Sequence, residues 1–293
     1  MKSILIHAWT LHKKNNEYYI PYTHWVYLNE IVKYYDKVCL LSPVNQNLKN
    51  EKSYEAINVF NNIEVYELPY SKGYIDAIKH FFKYTEAYKV LSPKFDVVYA
   101  RYPIPFGWLQ KYYFKSKKKI IHFVGDPVDT IINNPNLTPL KKKLYTTFFK
   151  PENYMFMKAC KKAKVYTNGY HIAERLKKRG INALALVSST LNDDDFFYED
   201  KLIDTESPKI IYVGYLRKAK GVETVLKSFA LLQRSKPKSK LTIIGHGESE
   251  SLLKSIVVSE KLNNVFFTGH IDNRDELNGF LRSFLSGSPF GDL

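Results

Sequence analysis

"IYVGYLRKAKGVETVL" occupies residues 211–226, and its reading decides the rest of the chain. A β-branched and aromatic run stops at Gly214, a short basic stretch follows, and Gly221 precedes a helical pattern. A glycine at a strand end lets a ligand approach the backbone, and a helix N-terminus offers N–H groups to an anion. Lys220 adds a full charge beside that helix start, and Arg217 a second one. The segment reads as strand, phosphate-facing loop, helix. Its spacing matches neither G-x-G-x-x-G nor G-x-x-x-x-G-K-[ST], so an ordinary basic βα loop is the competing reading.

The same design recurs downstream. A strand expected over 240–245 runs into GHGESE (245–250), and one over 264–268 into TGHI (268–271). Helical patterns cover 222–234, 249–261 and 275–284. In open α/β sheets, ligands lie beyond the carboxyl ends of the strands. Three glycine-ended strands at one edge therefore suggest a nucleotide-sized ligand lying across them, bordered by Gly245, Gly247 and the Gly269–His270 turn.

Upstream, apolar runs at 2–7, 37–42, 63–68, 95–100, 119–124, 164–169 and 183–188 read as strands. Helix-length segments lie at 22–35, 74–91, 140–149, 152–162 and 170–179. Several of the strands are apolar on both faces, as in a parallel sheet covered by helices. Strand–helix alternation makes βαβ units and a doubly wound α/β fold. Residues 192–208 are acidic, poorly periodic and end in Ser-Pro, which marks an interdomain linker. Asp193–Asp195 within it resemble a metal-binding aspartate run, but a solvated acidic hinge accounts for them better. The expected organisation is a domain over 1–191, the linker, and a partial domain over 209–293.

The chain has 293 residues, 45% of them hydrophobic and 25% charged, a globular composition. No apolar run reaches membrane-spanning length. Two cysteines, Cys39 and Cys160, without a CxxC or a His/Cys cluster, argue against a disulfide or zinc scaffold and for a cytoplasmic setting. The formal charge of +15 favours anionic partners without choosing among them. No RRM, KH or zinc pattern is present, and nucleic acid is not the expected partner.

Taken together, "IIYVGYLRKAKGVETVLKSFALL" (210–232), "KLTIIGHGESESLL" (240–253) and "NNVFFTGHIDNRDELNGFLRS" (263–283) resemble the C-terminal domain of GT-B-fold glycosyltransferases of family four, the group 1 type. DVVYARYP (96–103) and VYTNGYHIAERLKKRG (165–180) look like segments of that family's N-terminal half. The resemblance implies a GT-B fold of two Rossmann-like domains, the second incomplete. It implies a transferase that moves a sugar from a nucleotide-sugar to a glycan or lipid-linked acceptor in cell-surface polysaccharide synthesis. It further implies retention of anomeric configuration, and no cofactor or metal beyond the nucleotide-sugar substrate. Gly214 and Gly221 would then face the donor diphosphate and Lys220 would neutralise it. Tyr215 stands where the family often has arginine, so Arg217 would supply that contact. The family's pair of donor-holding glutamates follows a fourth strand that residues 1–293 do not reach. A truncated, inactive fragment that acts as a binding module is the alternative.

In the N-terminal half, His7 and Arg101 are the candidates for acceptor binding, and His122 and Asp126 for catalysis. Trp9 and His12 follow the first strand, with an uninvolved loop histidine the plainer reading of His12. Arg101 at a strand end suits an acceptor phosphate or, equally, a surface salt bridge. Gly125-Asp126-Pro127 is also a simple helix-start signal. Residues 134–164 mix lysines, including Lys141–Lys143, with Tyr145, Phe148, Phe149, Tyr154 and Phe156. That mixture suits a peripheral contact with the inner, anionic face of a membrane, or else two amphipathic helices with solvated lysines.

Overall fold

The computed structural model describes residues 2–47, 54–187, 189, 196, 204–271 and 273–286. The chain divides into two compact units, Met1–Thr190 and Leu191–Leu293. Most of the expected linker, with Asp193–Asp195, lies outside the described residues.

Unit 1 is built on a parallel sheet. Its strands are β1 (Ser3–His7), β4 (Lys37–Asn45), β6 (Ile63–Pro69), β7 (Val97–Tyr102), β8 (Lys118–Phe123), β9 (Lys164–Asn168) and β10 (Ala183–Leu186). In space they run β10-β9-β8-β7-β1-β4-β6, all parallel. The chain leaves β1 toward β4 and β6, then returns to the other side of β1 to lay down β7. The order therefore reverses between β1 and β7, and a crevice opens beyond their carboxyl ends.

An antiparallel ribbon extends the sheet, formed by β2 (Leu11–Lys14), β3 (Glu17–Pro21) and β5 (Tyr54–Ala56). The sequence pattern assigns no element to residues 8–21. The β2–β3 turn is Asn15-Asn16, both left-handed at φ 51° and 64°, as a two-residue hairpin turn demands.

Helices cover both faces. Ile4, Ile6, Val38 and Leu40 pack with Leu28 of α1 (Tyr22–Val32). The alternate residues Leu5, Cys39, Leu41 and Val98 pack with Tyr84, Tyr88 and Leu91 of α3 (Phe81–Leu91). This two-residue alternation with both faces buried is why the strands read as continuous apolar runs. The single helix expected over 74–91 is two, because α2 (Tyr74–Ile78) ends before His80 and α3 restarts in a register that buries Tyr84, Ala87, Tyr88 and Leu91. Short helices α4 (Gln110–Tyr113) and α5 (Pro127–Ile132) follow.

The two helices expected over 140–149 and 152–162 are one, α6 (Pro139–Cys160), which runs through Pro151. A single proline removes one helical hydrogen bond, and packing of the second half offsets that loss. Phe149, Phe156, Ala159 and Cys160 bury against Ile121, Phe123 and Val165, together with Ile172 and Leu176 of α7 (Tyr170–Lys177).

Unit 2 contains β11 (Lys209–Val213), α8 (Val222–Ser235), β12 (Lys240–Ile244), α9 (Glu250–Ser259), β13 (Val265–Gly269) and α10 (Arg274–Ser286). The strands pair in parallel in the order β11-β12-β13. Leu241 and Ile243 of β12 pack with Leu226 and Phe229 of α8 and Leu253 of α9.

Candidate functional site

Three βα loops of unit 2 meet at the carboxyl edge of its sheet, and backbone hydrogen bonds lock them together. Gly214 N donates to Ile244 O at 3.0 Å and Gly245 N to Gly269 O at 2.7 Å. Leu216 N donates to His246 O, and Ser249 N to Leu216 O, each at 2.9 Å. Leu216 is fully buried and anchors its loop in the core beneath. Above lies a pocket of about 180 Å³ lined by Gly214, Tyr215, Gly245, His246, His270 and neighbouring apolar side chains. Its polar rim is an aromatic row: Tyr215 meets His246 edge-on at 5.6 Å, and His246 meets His270 at 5.2 Å.

The glycines divide into two kinds. A Cβ on Gly245 would stand 2.0 Å from Gly214 O, and one on Gly247 would stand 2.3 Å from Leu216 O. These two positions are glycine because another backbone passes there, and Gly245 also lines the pocket, where it is expected to border the nucleotide. Gly221 (φ 69°) and Gly269 (φ 76°) have open space around them and owe their identity to left-handed backbone.

Of the expected phosphate contacts, Lys220 ends a 3-10 turn, Lys218–Lys220, and Gly221 is the N-cap of α8. No side chain caps α8, although Thr224 N already donates to Gly221 O at 2.9 Å, and Glu223 in the first turn tempers the attraction of this helix start for an anion. Arg217 and Lys220 are exposed beside this helix start and do not line the pocket. The structure therefore presents an aromatic-rimmed pocket and a basic helix N-terminus on consecutive stretches of one loop. His246 escaped the sequence reading. The signal that could have found it is the repeated Gly-His pair, 245–246 and 269–270, at successive strand ends.

In unit 1, the crevice beyond β1 and β7 holds a pocket of about 360 Å³ lined by Trp9, Thr10, His12, His24, Arg101 and Pro103, among others. Arg101 Nη1 lies 3.3 Å from His24 Nε2, and the His24 ring stacks on Trp9 at 5.7 Å. Burial, aided by the Arg101 charge, drives the His24 imidazole down to about 4, so the ring is neutral at neutral pH. His24 was missed because a histidine inside a helical pattern carries no motif. His12 Nδ1 lies 3.1 Å from Asn47 O.

His122 joins a polar chain across neighbouring strands: Tyr99 Oη is 2.8 Å from its Nδ1 and Asn168 Oδ1 is 2.8 Å from its Nε2. Burial lowers its pKa, opposed by the hydrogen bond to Asn168. His7 is not at the crevice surface. It is fully buried, its Nδ1 lies 3.0 Å from Tyr88 Oη, and burial drives it down to about 3. The acceptor-binding role expected for His7 is replaced by a core one, since β1 is buried on both faces.

Asp126, a candidate for catalysis, is committed to structure. Oδ1 caps α5 by accepting from Val128 N at 2.9 Å and Asp129 N at 3.3 Å, while Oδ2 accepts from Arg175 at 2.9 Å. Arg175 also holds Asp129, which ties α5 to α7.

Comparison with known proteins adds a context. Residues 193–285 match the family described as glycosyl transferases group 1. An uncharacterized glycosyltransferase of Methanocaldococcus jannaschii, MJ1069, is 26% identical over 292 residues, covering 87% of this chain and 68% of that one. Among solved structures, WaaG, a glycosyltransferase involved in lipopolysaccharide biosynthesis, aligns with a TM-score of 0.53 at 11% identity, over 96% of this chain and 72% of that one. Anabaena HepE, in complex with UDP and glucose, aligns with a TM-score of 0.51 at 11% identity, over 92% of this chain and 70% of that one. At such identities these two structural likenesses are of fold.

Proposed function

We propose that this chain, which belongs to the GT-B-fold group 1 glycosyltransferases, transfers a sugar from a nucleotide-sugar to a glycan or lipid-linked acceptor in the synthesis of a cell-surface polysaccharide. The observation that carries the reading is the locked three-loop platform of unit 2, with its pocket and the basic N-terminus of α8. The presence of UDP and glucose in the HepE structure supports a uridine-type donor. Unit 1 then holds the acceptor.

In this reaction a bond forms between the acceptor hydroxyl oxygen and the anomeric carbon of the sugar. The bond from that carbon to the diphosphate oxygen breaks, and the hydroxyl proton departs with the nucleoside diphosphate. Negative charge grows on the leaving group. The N–H groups of the first turn of α8, with Lys220 and Arg217, are where this chain can stabilise it. Retention of configuration is part of the proposal on family grounds alone.

The test is calorimetric titration with UDP, GDP and ADP, followed by an assay for nucleoside-diphosphate release from a sugar donor with acceptor present. Failure of all three nucleotides to bind would overturn the reading. Lys220→Ala is expected to weaken nucleoside-diphosphate binding by about tenfold, the weight of one charge-assisted contact. Arg217→Ala is expected to weaken it less, and equal affinities for the two variants would refute the assigned register.

Peripheral membrane association completes the proposal. Leu140, Leu144 and Phe148 form an exposed stripe at four-residue spacing along α6, beside Lys141 and Lys143. An apolar stripe flanked by lysines suits an anionic bilayer surface, and no helix is long and apolar enough to cross a membrane among the described residues. Leu144→Ser with Phe148→Ser is expected to abolish co-sedimentation with phosphatidylglycerol vesicles. Neutralising Lys141–Lys143 should remove its dependence on anionic lipid, and retention of full binding by both variants would refute the contact.

A further inference from the structure

The switch point of unit 1 carries a cation that the protein does not neutralise. Arg101 is half-buried on β7 and lines the crevice pocket. No carboxylate pairs with it among the described residues. The ionisable groups coupled to it are Tyr99, Tyr27, His24 and His122, none of them a carboxylate, and among the described residues its one side-chain hydrogen-bond contact is His24. The salt-bridge reading of Arg101 thus finds no partner here. A half-buried guanidinium without a counter-ion is costly, and such a group is retained where a ligand supplies the missing charge.

The groups around Arg101 are arranged to donate. A guanidinium only donates, so His24 Nε2 must accept, and the ring hydrogen then sits on Nδ1. That Nδ1 is buried and has no hydrogen-bond partner. The N-terminus of α1 approaches the same pocket: Pro21 lines it, no side chain caps the helix, and no acid stands in its first turn. A helix end of this kind favours negative charge. Arginine fork, imidazole N–H and helix N-terminus are three separate donor sets, more than a planar carboxylate needs and well matched to a tetrahedral anion. The pocket, about 360 Å³, is of small-molecule size.

We propose that this pocket binds a phosphate ester carried by the acceptor, with Arg101 as its anchor and His24 and the α1 N-terminus as further donors. The proposal rests on the reading that unit 1 holds the acceptor. The acceptor is then a phosphorylated glycan, a polyol phosphate or a phospholipid-linked sugar rather than a neutral oligosaccharide. Trp9, stacked on His24, gives the carbon skeleton next to the phosphate an apolar surface. A donor diphosphate carries the same chemistry, and the experiment separates the two sources.

The experiment titrates the full chain with sn-glycerol 3-phosphate, followed by phosphorus NMR, and in parallel with UDP. It compares wild type, Arg101→Gln and Arg101→Lys. Arg101→Gln is expected to weaken glycerol phosphate by at least about tenfold while UDP affinity stays unchanged. Arg101→Lys keeps the charge but loses the planar fork, so it is expected to fall between. It also serves as the readout if the glutamine variant misfolds. No binding of glycerol phosphate to wild type, or equal binding by wild type and Arg101→Lys, overturns the proposal. Loss of UDP affinity in the Arg101 variants assigns the anion to the donor and overturns the acceptor assignment. If UDP fails to bind even wild type while the glycerol phosphate results hold, the donor reading of unit 2 fails, the phosphate site stands, and its assignment to an acceptor falls with that reading.

Discussion

Gly245→Ala is expected to unravel the three-loop platform and abolish nucleotide binding. The new methyl would stand 2.0 Å from Gly214 O and 3.0 Å from Gly214 C, both backbone atoms of the neighbouring loop. No rotamer change relieves such a contact, so one strand end must move away from the other. Movement breaks the bond from Gly214 N to Ile244 O and that from Gly245 N to Gly269 O. The backbone at Gly245 also sits at φ 137°, which an L side chain resists. The combined cost to unit 2 is about 3–5 kcal/mol, in the range of severe core substitutions. Gly269→Ala and Gly221→Ala meet open space and pay only for their left-handed backbone, about 1 kcal/mol each. The chain offers a clean readout, because its three tryptophans, Trp9, Trp25 and Trp108, all lie in unit 1. Far-UV circular dichroism of Gly245→Ala should therefore lose an early-melting helical fraction while tryptophan fluorescence keeps the wild-type transition. Identical melting of Gly245→Ala and Gly269→Ala would refute the account.

The same glycines mark where sequence reading stops. Strand, glycine and helix are visible in residues 211–226 because each uses its own residue chemistry. What passes close to a glycine is a property of distant chain, so the close approach of Gly214 O to Gly245 and of Leu216 O to Gly247 has no sign in the local sequence. The parallel strands were legible because burial on both faces leaves an unbroken apolar run. For the same reason the run hides which residues reach the crevice: His7 and Arg101 both stand near strand ends, and only three-dimensional register separates a core imidazole from a lining guanidinium. Asn15-Asn16 lacks the glycine that usually betrays a hairpin, and Pro151 reads as a boundary although tertiary packing carries α6 through it. His24 meets Arg101 across 77 residues of sequence, a pairing no local pattern encodes.

The other large effect concerns a buried acid outside both candidate sites. Glu152 on α6 is almost fully buried and holds the loop after β7: Oε1 accepts from Phe106 N and Oε2 from Trp108 Nε1, each at 2.7 Å. Tyr74 adds a third hydrogen bond. Burial outweighs these donors and pushes the carboxyl up to about 7. The folded state then binds the Glu152 proton more tightly than the unfolded state, so this contribution to stability is full below the unfolded pKa and is lost as pH rises through about 7. His7, driven down to about 3, and His24, driven down to about 4, act in the opposite sense and favour the fold as pH rises toward their unfolded value. The histidine contributions overlap that of Glu152 in pH and oppose it, so the Glu152 effect must be isolated by difference. Glu152→Gln removes the titrating group and leaves the histidines in place. Its destabilisation relative to wild type is expected to be largest near pH 4.5 and to shrink by about 3 kcal/mol by pH 8. Urea unfolding followed by tryptophan fluorescence checks this directly, since Trp108 touches the carboxyl itself. A difference between the two proteins that stays constant over that range would mean that Glu152 is ionised throughout, held by its three donors against the cost of burial.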